Sequence, residues 1–118
     1  MSSILVVEDQ YFLAMDCVRE VERRGLKAFV AGALNDALEM AQNADLCGAV
    51  IDIDLHGERA FSVIDLLRER TIPVLICTGY SADVLPERLS SVPLLQKPCL
   101  PAEVLDTLMS LMRNGNGA

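Results

Sequence analysis

Three observations predict an α/β fold with a doubly wound, five-stranded parallel sheet for this chain of 118 residues. Five short apolar runs recur along it, continuous rather than alternating, which is the pattern of strands covered on both faces. Stripes with apolar residues three and four apart lie between the runs, as in amphipathic helices. Four of the five runs end in a reactive or ion-binding side chain, and open α/β sheets hold their ligands at the carboxyl ends of the strands.

The first run, residues 4–7, leads into Glu8 and Asp9, and Leu13, Cys17 and Val21 mark the first helix. The second run, 28–31, ends in Gly32 and Ala33; Leu34, Ala37, Leu38 and Ala41 follow as the second helix. The third, 49–51, opens the stretch AVIDIDLHG and ends at Asp52, ahead of a helical stripe of Ala60, Val63, Ile64 and Leu67. The fourth, 74–77, ends at Thr78 and Gly79. Only residues 81–91 then remain for a fourth helix, and Pro86 falls inside them, so the expectation is one short helix starting near Pro86 or an irregular segment. The fifth run, 92–95, precedes Lys97. The last helix carries Val104, Leu105, Leu108, Leu111 and Met112, with Pro101 as a good first residue and Asn114 and Gly115 as its stop. Right-handed crossovers turn this alternation into a parallel sheet between helices. The common order 2-1-3-4-5 puts the second strand at an edge and makes the four equipped strands contiguous.

The length and the 52% hydrophobic content suit one domain, residues 1–113, with 114–118 as a frayed tail. A formal net charge of −7 opposes nucleic acid and anionic membrane as partners, and favours proteins or small ions. Cys17, Cys47, Cys77 and Cys99 include no Cys-x-x-Cys pair and lie mostly in apolar stretches, which reads as a reduced, cytoplasmic protein without zinc. The amino terminus has no export-signal pattern and no apolar run approaches a membrane-spanning length.

Glu8, Asp9 and Asp52 converge in this arrangement. Like charges about 4 Å apart repel by roughly 4 kcal/mol at an effective dielectric near 20, so the cluster calls for a cation. Mg²⁺ suits oxygen ligands and leaves positions open for water or phosphate. One carboxylate can then attack a phosphoryl group in line, with a metal, a lysine and a hydroxyl around its oxygens. Asp52 is the natural nucleophile, Lys97 the cation and Thr78 the hydroxyl, with Gly79 leaving room for a donor.

Glu8–Asp9 after ILVV, Asp52 with Leu55 three residues later, Thr78–Gly79 and Lys97–Pro98, in this order and each at a strand end, resemble the receiver domains of two-component response regulators over nearly the whole chain. The resemblance implies a flavodoxin-like fold and a protein that catalyses only its own phosphorylation and dephosphorylation. Asp52 would accept a phosphoryl group from a histidine kinase or histidine phosphotransfer protein, and the backbone carbonyl of Asp54 would join Glu8, Asp9 and Asp52 around Mg²⁺. It also implies a cis Lys97–Pro98 peptide. Output is expected through a downstream protein partner or a further region of chain, and the protein is expected to be a monomer or weak homodimer. ICTGYS, with LPERL and PLLQKP after it, is similar to stand-alone receivers carrying a Phe-Ala-Thr-Gly-Tyr-type sequence, here with Ile76 and Cys77 in place of Phe and Ala. His56 and Ala60 stand where the family has Pro and Gly, which puts the loop after the acceptor in question. Leu94 replaces the usual aromatic, so a signal has to run through the strand-four loop, Tyr80 or the short fourth helix.

Each motif also has a bland reading. Glu8 and Asp9 could cap a helix, Asp52 and Asp54 could be solvated loop acids, and Lys97 could lie on the surface, although it is one of two lysines. His56, the single histidine, reads as a loop residue. Three rival functions follow. A haloacid-dehalogenase-type phosphatase would use both aspartates, but from the first strand. A Toprim-type Mg²⁺ nucleotidyl-transfer domain would leave Thr78 and Lys97 unexplained. A pseudo-receiver would only dock a partner.

Overall fold

A computed structural model describes residues 3–114. The expected tail residues 115–118 lie outside the described residues, and Asn114 caps the last helix. The strands β1 (Ser3–Val7), β2 (Lys27–Ala31), β3 (Gly48–Ile51), β6 (Val74–Thr78) and β7 (Leu94–Gln96) form one parallel sheet ordered β2-β1-β3-β6-β7. This is the flavodoxin-like 2-1-3-4-5 order, as expected from sequence. A two-stranded hairpin, β4 (Asp54–Leu55) and β5 (Glu58–Arg59), follows β3. The helices are α1 (Tyr11–Arg23), α2 (Leu34–Asn43), α3 (Phe61–Glu69) and α4 (Pro101–Arg113).

Side-chain alternation divides the core in two. Leu5, Val7, Ala49, Ile51, Val74 and Ile76 face α2 and α3. Ile4, Val6, Val50, Leu75, Cys77 and the half-buried Leu95 face α1 and α4. Gly48 sets how closely α4 approaches: a Cβ there would lie 3.0 Å from Met112 Sδ and 3.3 Å from Ile4 Cδ1. Gly48→Val is expected to overpack this face and cost about 1–3 kcal/mol, read as a lower urea midpoint with an unchanged slope.

Residues 81–91 form the irregular segment expected around Pro86, two 3₁₀ turns at Ala82–Val84 and Glu87–Leu89, so four α-helices stand among the described residues. Two expectations need correction. The second strand is not covered on both faces: at the sheet edge Phe29 and Val30 are exposed. Leu13 is 41% exposed, and α1 instead buries Ala14, Cys17, Val18 and Val21. The burial of Glu20 is compensated by Arg23 and Arg24, and Arg24 also reaches Asp106 on α4 at 2.9 Å.

Candidate functional site

Sheet register brings the predicted residues together. Val7 pairs with Ile51, so Glu8 and Asp52, the next residues, emerge side by side. Thr78 pairs with Gln96, so Lys97 emerges immediately after. Glu8 continues the row of Ile4 and Val6, Asp52 that of Val50, and Lys97 that of Leu95, so alternation turns all three to the α1/α4 face.

Lys97 Nζ lies 2.6 Å from Glu8 Oε1 and 2.8 Å from Asp52 Oδ2. Burial alone would weaken the Lys97 ammonium, but its hydrogen bonds to Asp52 and Glu8 outweigh that and hold its pKa above the usual lysine value. Burial pushes the Glu8 carboxyl up, against the opposing pull of the Lys97 hydrogen bond and the Gln10 amide. Asp52 Oδ1 accepts the Asp54 N–H at 3.1 Å, so each oxygen of Asp52 has a partner.

Ligand oxygens from Glu8, Asp9 and Asp52 all lie within 4.8 Å of one another. Three carboxylates facing one ammonium leave an excess of negative charge, and an all-oxygen set of this kind suits a hard divalent cation. Asp54 contributes no carboxylate to the cluster. Its Oδ1 accepts the Gly57 N–H at 3.1 Å and closes the hairpin turn.

Thr78 is fully buried at the same sheet edge, and its backbone oxygen accepts the Lys97 N–H at 2.7 Å. Its hydroxyl accepts the Tyr80 N–H at 3.4 Å, and alternation places it on the face opposite Lys97. It is therefore near the cluster without being hydrogen-bonded to it. The Lys97–Pro98 peptide is cis.

His56 has a role that sequence reasoning missed. With Gly57 it forms a two-residue turn in which both residues have positive φ, 52° and 89°, the geometry that suits a tight hairpin. Its N–H donates to Asp9 Oδ2 at 2.9 Å and so anchors that carboxylate. The loop that His56 and Ala60 put in question is thus this hairpin, with Ala60 fully buried behind it. Tyr80 lies under the Arg59 guanidinium of β5, 4.8 Å from ring centre to cation.

No protein-family model matches the chain. The photosynthetic apparatus regulatory protein RegA of Rhodobacter capsulatus is 26% identical over 113 residues, 92% of this chain and 61% of that protein, so the chain spans about three fifths of the relative it matches. Many solved structures are similar, and three of them show the range. The receiver domain protein (CheY-like) of Methanospirillum hungatei JF-1 superposes with a TM-score of 0.86 at 17% identity, over 98% of this chain and 97% of that one. The receiver domain of the Francisella response regulator 1452 does so with a TM-score of 0.79 at 25% identity, over 95% and 97%. A Burkholderia pseudomallei response regulator with a phosphorylated aspartic acid, calcium ion and citrate has a TM-score of 0.78 at 23% identity, over 98% and 71%.

Proposed function

Since this chain is a response-regulator receiver (CheY-like) domain, we propose that Asp52 is its phosphoacceptor, that Glu8, Asp9, Asp52 and the Asp54 carbonyl hold Mg²⁺, and that a histidine kinase or histidine phosphotransfer protein supplies the phosphoryl group. The observation that carries this reading is the bond from Lys97 Nζ to Asp52 Oδ2 within a three-carboxylate cluster. The similar Burkholderia protein carries both a phosphoaspartate and a divalent cation. When bound, Mg²⁺ supplies positive charge to the phosphoryl oxygens as they transfer.

The protein's own residues do the rest. The Asp54 N–H and the Lys97 ammonium fix the plane of the Asp52 carboxylate, presenting one oxygen for attack on phosphorus. As phosphorus bonds to that oxygen, the bond to the donor breaks and the pair leaves with the donor. Lys97 then neutralises one of the new phosphoryl oxygens. The Thr78 hydroxyl accepts the Tyr80 N–H and keeps its own hydrogen to donate to a phosphoryl oxygen, so one side chain would link the strand-four loop to the modification and offer a route for the output signal. The Asp54 carboxylate, occupied with Gly57, is a bystander; this weighs against the phosphatase and Toprim readings, which need both aspartates.

Acetyl phosphate with millimolar Mg²⁺ is expected to add one phosphoryl group by intact mass, and EDTA to suppress the addition. A chain that stays unlabelled with its fold intact would leave the phosphorylation-independent docking module as the reading.

A further inference from the structure

The face that carries the acidic cluster also carries a pair of thiols. Cys77 continues the row of Leu75 on β6, and Cys99 follows Lys97 by two residues. Their sulfurs lie 3.0 Å apart, about 1 Å from disulfide bonding distance. A pocket of about 400 Å³ between the sheet, α1 and α4 is lined by both thiols together with Cys17, Leu13, Lys97 and Asp52. This pocket gives a small oxidant access to the pair.

We propose that Cys77 and Cys99 are a peroxide-sensitive dithiol that closes to a disulfide beside Lys97 and so regulates phosphorylation at Asp52. Cys99 is the more exposed sulfur of the two. It attacks one oxygen of hydrogen peroxide; the O–O bond breaks, water leaves, and Cys99 becomes a sulfenic acid. The Cys77 sulfur attacks that sulfur, gives up its proton, and displaces the oxygen as a second water. The two thiols lose two electrons and the peroxide gains them. Burial, then the Cys99 hydrogen bond, pushes the Cys77 thiol up, which suits a resolving partner that stays protonated until the sulfenic acid forms. Cys17 is pushed up to about 12 by burial and then by the charge of Glu8, so it is the unreactive thiol of this face. Disulfides in a reducing compartment are typically transient and redox-sensing, which fits a pair held open as thiols.

The effect on phosphorylation rests on the phosphoacceptor reading, whereas closure of the disulfide does not. Drawing Cys99 toward β6 pulls on the segment that positions Lys97; a full misplacement of about 1 Å can cost about 100-fold in rate, and the part of the closure passed on to Lys97 is expected to cost about tenfold. The test treats the full chain with hydrogen peroxide, alkylates the remaining thiols, and maps the peptides by mass. The expected product is two hydrogens lighter, links the Cys77 and Cys99 peptides, keeps Cys17 and Cys47 alkylated, and is reversed by dithiothreitol. Cys99→Ser should abolish the link and Cys17→Ser should keep it, with circular dichroism confirming that both variants fold. A link through Cys17, an intermolecular link, or only sulfinic and sulfonic products would overturn the dithiol. Acetyl phosphate labelling should fall about tenfold in the oxidised wild type and not in peroxide-treated Cys99→Ser; a linked protein that labels at full rate would overturn the regulation alone. Failure of the reduced wild type to label would count against the phosphoacceptor reading and leave the dithiol standing.

Discussion

Asp52→Asn is expected to abolish labelling by acetyl phosphate, while Asp54→Asn keeps it. The two residues share a motif and differ in what they touch. Asp52 Oδ2 is 2.8 Å from the Lys97 ammonium and belongs to the cluster with Glu8 and Asp9; Asp54 Oδ1 holds the Gly57 amide in the hairpin turn. An amide at position 52 keeps the shape of the side chain but is too weak a nucleophile for phosphorus. It also removes one of three crowded negative charges and leaves Lys97 paired with Glu8 at 2.6 Å, so Asp52→Asn should melt no lower than the wild type. Asp54→Asn keeps an oxygen for Gly57 and should slow labelling only a few-fold. Intact mass of each variant after a fixed incubation checks both. Label on Asp52→Asn together with none on Asp54→Asn would reassign the nucleophile.

What the sequence made legible was carried by strand ends. Alternation and parallel pairing mean that a polar residue directly after a buried run lands at the sheet edge, and one residue of register decides its neighbours. That is why Glu8, Asp52 and Lys97 could be placed together before any coordinates. The features that stayed hidden depend on other information. Leu13 fits a helical stripe by spacing alone, yet it is exposed and lines the pocket beside the cluster, and periodicity does not say which residues of a stripe meet a packed neighbour and which meet a cavity. The second strand has the composition of a central one, but its edge position leaves Phe29 and Val30 exposed. The His56–Gly57 turn was readable in principle, since a glycine after a residue that tolerates positive φ is a hairpin signal, but its use as an anchor for Asp9 spans 47 residues. The thiols are 22 residues apart in the chain and meet only because β6 and β7 pair.

Lys97→Ala should have the largest combined effect on stability and phosphorylation. The ammonium is mostly buried between Glu8 and Asp52, with 21% of the side chain exposed, and both carboxylates are buried further still. Truncation removes their shared counter-charge and leaves them facing each other and Asp9. Breaking a buried pair costs about 3–5 kcal/mol, and partial exposure at this sheet edge moves the expectation to about 2–3 kcal/mol without metal. Mg²⁺ should recover part of that, because a cation bound only to the folded state stabilises it by mass action, about 1.4 kcal/mol at ten times Kd. Having lost its internal cation, the variant should gain more from the metal than the wild type does. Labelling should nevertheless stay about 100-fold slow in saturating Mg²⁺, since the charge that Lys97 places on the transferring oxygens is fixed by the fold and a metal at the carboxylates does not replace it. Lys97→Arg separates the two roles: a guanidinium restores the charge and much of the stability, but its planar fork does not reproduce a point charge 2.8 Å from Asp52, and the rate should remain low. Urea unfolding with and without Mg²⁺, and labelling rates for both variants, test each step. Lys97→Ala unfolding at the wild-type midpoint in EDTA, or labelling at the wild-type rate, would remove Lys97 from the site.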